Sequence, residues 1–152
     1  MALRFSTALR NATIGTVGMA GALSTGVIEI YTGAQPATAN DPVSGTLLGT
    51  VTTNGAAFTP GSATNGLTFA TAADGAVAKA ASNWQFTGLA TGSAGWFRFK
   101  GNAVDAGSSS TTHVRLDGSI ATSGGDMTIG NINVTTGAPN TVDQFVLTYP
   151  AQ

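Results

Sequence analysis

Cysteine is absent from this chain of 152 residues, histidine occurs once, and only 9% of the side chains carry a charge. The first absence excludes disulfides, thiolate metal sites and a thiol nucleophile. A single histidine, His113, leaves little room for a catalytic triad. A soluble domain ordinarily has about 25% charged residues, which hydrate its surface and hold copies apart. Here there are 6 basic and 7 acidic side chains, a net of −1. The cations Arg4, Arg10, Lys79, Arg98, Lys100 and Arg115 are scattered and form no basic tract. No field capable of gripping a phosphate backbone results, so a direct nucleic-acid partner is not expected. A run of about 20 apolar residues, which a membrane-spanning helix needs, is also missing, and no membrane partner is expected.

What is present is 42% hydrophobic residues and 21 glycines, with much of the rest threonine, serine and alanine. The surface implied is one of hydroxyls, small side chains and bare backbone. Such a surface suits lasting contact with neighbours. The length fits one domain able to bury a sizeable core without covalent staples.

Along the chain, residues 1–25 are the one helical candidate and read as an N-terminal arm. Ser6 or Thr7 can cap it, and Leu9, Ala12, Thr16, Met19, Ala20 and Leu23 fall near a 3.6-residue period. Its glycines predict a short helix ending near Gly15 or Gly18. Arg4 and Arg10 followed by an apolar stretch loosely resemble a secretory signal. Asn11, Gly15, Thr16, Gly18 and Gly21 dilute that pattern, and a cleaved signal is not expected.

From residue 26 onward the pattern is strands and turns. Val27–Thr32, Thr46–Thr53, Val77–Ala80, Asn83–Gly88, Gly95–Lys100, His113–Asp117 with Ser119–Ala121, Met127–Val134 and Val142–Tyr149 read as strands. Asn54-Gly55, Asn65-Gly66 and Asp74-Gly75 are turn signals, and Pro150 ends the last strand. A change of alternation at Gly130 predicts a bulge. Short strands punctuated every 8–12 residues or so indicate an antiparallel β-sandwich, jelly-roll-like, over residues 26–152.

Chemistry is weakly signalled. His113, Arg115 and Asp117 share a strand face, which suits cross-strand hydrogen bonding better than acid–base work. Gly124-Gly125-Asp126 lacks the run of oxygen ligands of a calcium loop. The glycine-rich stretch at Gly15 has neither a preceding strand nor a following lysine, so it fails as a phosphate loop. No catalytic residue, metal or cofactor is assigned. Trp96 and Arg98 share one face of a strand whose other face carries Phe97 and Phe99. A tryptophan beside an arginine is the composition of an interface hot spot, the alternatives being core or a solvated face. With the arm, this gives a candidate interface of Leu3, Arg4, Phe5, Leu9, Arg10, Trp96 and Arg98.

The segments Met1-Ala-Leu-Arg-Phe-Ser-Thr-Ala-Leu-Arg-Asn, Ile30-Tyr-Thr-Gly-Ala-Gln-Pro, Phe58-Thr-Pro-Gly-Ser-Ala-Thr-Asn-Gly-Leu67, Gly95-Trp-Phe-Arg-Phe99 and Arg115-Leu-Asp-Gly-Ser-Ile-Ala-Thr-Ser-Gly124 are spread over most of the chain. Together they resemble a family of small proteins encoded among the structural genes of tailed bacteriophages. The resemblance implies a non-enzymatic virion protein similar to capsid cement or decoration proteins, made in the host cytoplasm and bound outside the shell. The implied partners are the major capsid protein and further copies of the chain, with no small-molecule substrate. A tail, connector or fibre subunit is the alternative within the particle. A carbohydrate-binding module, with Trp84 or Trp96 stacked on sugar, is the alternative of another class.

Overall fold

The structure is a computed structural model that describes residues 3–149. Met1, Ala2 and the strand-ending Pro150 therefore lie outside the described residues. The elements in chain order are β1 (Arg4–Phe5), α1 (Thr7–Ile14), α2 (Gly18–Leu23), β2 (Val27–Thr32), β3 (Leu47–Thr53) and β4 (Ala76–Ala78). There follow β5 (Trp84–Thr87), β6 (Gly92–Lys100), β7 (Arg115–Ala121), β8 (Met127–Ile129), β9 (Asn133–Val134) and β10 (Pro139–Thr148).

Seven strands close on themselves in the order β7-β8-β10-β5-β3-β2-β6 and back to β7, while β1, β4 and β9 add at the rim. The fold is thus a closed barrel, and the expectation of an open sandwich is corrected. Period-2 alternation and frequent turns are common to both architectures. What separates them is whether the end strands pair, and that depends on contacts distant in sequence. Here β6 and β7 pair from Trp96↔Ser119 to Lys100↔Arg115. A short parallel contact, Ile120↔Met127 and Ala121↔Thr128, seals the other side of β7. Its connection is far shorter than the dozen or so residues of an ordinary parallel crossover. The Asp126 carboxylate fastens it by accepting the Ser119 amide and hydroxyl at 2.8 and 2.7 Å.

The alternation of side chains fills the barrel with Ile28, Ile30, Val51, Trp84, Phe86, Phe97, Phe99, Leu116, Met127, Phe145 and Leu147, all buried. The Trp84 and Phe145 rings meet at a tilt with centroids 5.5 Å apart, and Phe99 meets both. Two strand glycines make room for these rings. A Cβ at Gly49 would lie 2.2 Å from the Phe86 ring, and one at Gly118 would lie 2.7 Å from Phe97.

The outward face of β2, β6 and β7 is not solvated. The connections 33–46 and 101–114 cross it, anchored by backbone carbonyls that accept from buried arginines. Arg98 reaches Asp41 O at 3.0 Å and Arg115 reaches Ser108 O at 2.7 Å. The expected turns form as read, with Asn54 (φ 57°) and Gly55 (φ 66°) both in the left-handed region. The bulge expected at Gly130 is instead a break between β8 and β9.

Residues 3–25 pack onto the barrel. Ser6 caps α1 by accepting the Leu9 amide at 3.1 Å. The helix ends at Gly15, one of the two glycines expected to stop it, while Gly18 opens a second helix that was not expected. The Ser6 hydroxyl also donates to His113 O and accepts the Arg115 amide. Leu9, Met19 and Leu23 are buried in the common core.

Candidate interaction site

The outer layer of the barrel wall explains where the charge goes. Arg98 grips Asp117 through two bonds of 2.7 Å, with both side chains fully buried. Arg115 grips Asp105 at 2.7 and 2.6 Å. Lys100 pairs with Glu29 at 2.7 Å, and Glu29 also accepts the Tyr31 hydroxyl at 2.5 Å. Tyr31 stacks on Trp96 at 4.8 Å, and the Arg98 guanidinium sits 5.5 Å from the Trp96 ring on the same buried layer. Burial and the Glu29 contact push the Tyr31 hydroxyl well above its ordinary value. Burial likewise pushes Asp117 up, against the pull of Arg98, Arg115 and Arg4. At Asp105 the balance reverses. Burial alone would raise it, but the Arg115 bonds, the Gly107 amide and the charges of Arg115 and Lys100 hold it below the usual carboxylate value.

This layer clamps the covering connections onto the barrel wall. Each of its carboxylates is matched to a cation, and both guanidinium groups spend their donors on carboxylates and backbone carbonyls of the chain itself. His113, at the entry to β7, holds Nδ1 3.8 Å from Asp105 Oδ1, and Asp117 is taken by Arg98. Of the three residues expected to hydrogen-bond on one strand face, Arg115 and Asp117 do so, with Asp105 and Arg98, whereas His113 precedes the strand and its Nδ1 makes no hydrogen bond among the described residues. Among the described residues no three metal-ligating side chains gather, and no helix is long and apolar enough to cross a membrane.

The candidate interface residues divide into two groups. Leu9, Trp96 and Arg98 have no exposed surface, so they cannot meet a partner in the folded chain. The shared strand face was legible from alternation, but the loops that cover it were not. By contrast Leu3, Arg4, Phe5 and Arg10 line one open groove of about 370 Å³, whose far wall is residues 37–40. Strand β1 pairs with the edge of β7, Arg4 opposite Asp117, and helix α1 then turns Arg10 to the surface. The groove wall is fixed by a reciprocal pair. The Thr7 amide donates to Asn40 Oδ1, and Asn40 Nδ2 donates to Thr7 Oγ1, both at 2.9 Å. Sequence reasoning missed Thr38 and Asn40, because nothing local announces a contact across 33 positions.

Arg4 donates to the Pro36 carbonyl and Arg10 to Thr7 Oγ1. Neither is in an ion pair, since those among the described residues engage Arg98, Lys100, His113 and Arg115. The carboxylate next in sequence to the far wall, Asp41, is turned onto Thr38, accepting its amide at 2.8 Å and its hydroxyl at 3.0 Å.

A second groove of about 270 Å³ lies between α2 and the ends of β4 and β10. It is apolar, with Val17 and Tyr149 exposed on its rim. No family model matches the chain, and no curated protein or solved structure matches it either.

Proposed function

We propose that the chain is a non-enzymatic structural protein of a bacteriophage particle, bound outside the major capsid shell and stabilising it as a cement or decoration protein. The observation that carries this reading is where the charge lies. Three cations and three anions pair within the outer layer, their side chains no more than 16% exposed. Only Arg4, Arg10, Lys79, Asp41, Asp74, Asp126 and Asp143 remain to charge the surface. That surface is poor in mutual repulsion and rich in hydroxyls and backbone, and it docks on neighbours with little desolvation cost. A rigid barrel with clamped loops suits a brace, because many modest contacts repeated over a shell add up. The sugar-binding alternative loses its support, since Trp84 and Trp96 are 1% and 0% exposed and offer no stacking platform.

The test is to image intact particles and count copies against the major capsid protein. Several hundred copies on the shell exterior are expected, as is earlier rupture on heating of particles lacking the protein. A handful of copies at the tail or portal would replace this reading with the tail or connector one.

A further inference from the structure

We infer that the groove between α1 and the 37–40 wall is a docking site for an acidic polypeptide segment of a partner protein. A partner carboxylate binds Arg10, with Arg4 behind it, and an adjoining apolar side chain packs on Leu3 and Phe5. This rests on the reading above only in supposing that the partner is a capsid subunit.

The argument is one of charge left over. Three of the six cations are consumed in buried pairs, and two of the remaining three line this single groove. Arg10 is exposed and makes one hydrogen bond, of 3.2 Å, to a neutral hydroxyl. The rest of its donor fork is free to take a carboxylate in the paired geometry that arginine favours. Asp41, adjoining the opposite wall, is held by Thr38 and makes no ion pair with Arg10. Leu3 and Phe5 are half-buried against the core and contribute an apolar floor. That floor favours a polypeptide, which carries apolar side chains beside its acids, over nucleic acid. Two arginines on a chain of net charge −1 also provide too little field for a phosphate backbone.

The test titrates isotope-labelled protein with a short peptide of alternating Leu and Glu, with the same peptide carrying Gln for Glu, and with inorganic phosphate. Amide shifts at Arg10, Thr38 and Asn40 are expected with the Glu peptide alone. Binding should weaken about tenfold in Arg10→Glu, less in Arg10→Lys, and progressively with added salt. Equal binding of the Gln peptide, unchanged binding by Arg10→Glu, or the same shifts from phosphate alone would each overturn the inference. So would self-association of the protein that Arg10→Glu abolishes, which would make a second copy the occupant. The outcome is separable from the capsid proposal. Peptide binding without shell occupancy sinks only that proposal, and shell occupancy indifferent to Arg10→Glu sinks only this inference.

Discussion

Arg98 and Asp117 show how a single side chain can look like an interface and serve as a rivet. Both are at zero exposure, and each satisfies the other's charge through two short bonds. Removing one partner leaves a buried charge unmatched, so Arg98→Met should destabilise the fold by about 3–5 kcal/mol. The double replacement Arg98→Met with Asp117→Leu, which removes both charges, should recover most of that loss. Urea unfolding of the three proteins measures it, and a double variant no better than the single one would show that the pair contributes more than charge compensation. Gly49 makes the opposite point, because here the missing atom matters. A methyl group would enter the Phe86 ring space at 2.2 Å from the nearest ring carbon. Overpacking of this kind costs about 1–3 kcal/mol, and Phe86→Leu should relieve part of it in the paired variant.

At the scale of elements, the local grammar was readable and the coverings were not. Val27–Thr32 forms as read, and the alternation of Trp96, Arg98 and Lys100 against Phe97 and Phe99 is the one observed. Turn and glycine chemistry is local, so Asn54-Gly55 and the end of α1 at Gly15 were also legible. The identity of the face that meets solvent was not, because the connection 33–46 covers the Trp96 face through backbone carbonyls that any sequence possesses. Barrel closure was hidden for a related reason: it rests on the β6–β7 and β7–β8 pairings rather than on any strand's own pattern. Of the candidate interface, the residues nearest the N-terminus were found by their place in the expected helical arm, although Arg4–Phe5 forms a strand instead. Their facing wall came only from the Thr7–Asn40 pair. Ser6 joins these levels, capping α1 while bonding to both His113 O and the Arg115 amide. Ser6→Ala should therefore cost more than an isolated cap, about 2 kcal/mol or above. Hydrogen exchange at the Leu9 and Arg115 amides should accelerate together, and acceleration at Leu9 alone would mean that the helix and β7 are not coupled through Ser6.

For the whole molecule, the buried clamp links the long connections to the pH of the surroundings. Residues 3–25 supply Leu9, Met19 and Leu23 to the core, so removing them would unfold the protein rather than merely detach it from a partner. Function is better probed by surface changes such as Arg10→Glu, and global stability by proton concentration. Asp105 closes the 101–114 connection onto Arg115, and its carboxyl is held below the ordinary value near 3.9 or so. The unfolded chain therefore takes up this proton first as the solution is acidified. Stability from Asp105 is fully present above the unfolded value and is lost as pH falls through about 4 towards the depressed folded value. Asp117 acts with the opposite sign, because burial raises it and the folded form takes up its proton first. Its protonation offsets part of the loss rather than adding to it. Asp105→Asn should accordingly be less stable than the parent at pH 7 and should lose less on further acidification. Urea midpoints measured from pH 7 down to pH 3 distinguish the cases, and parallel curves for parent and variant would remove Asp105 from the acid response.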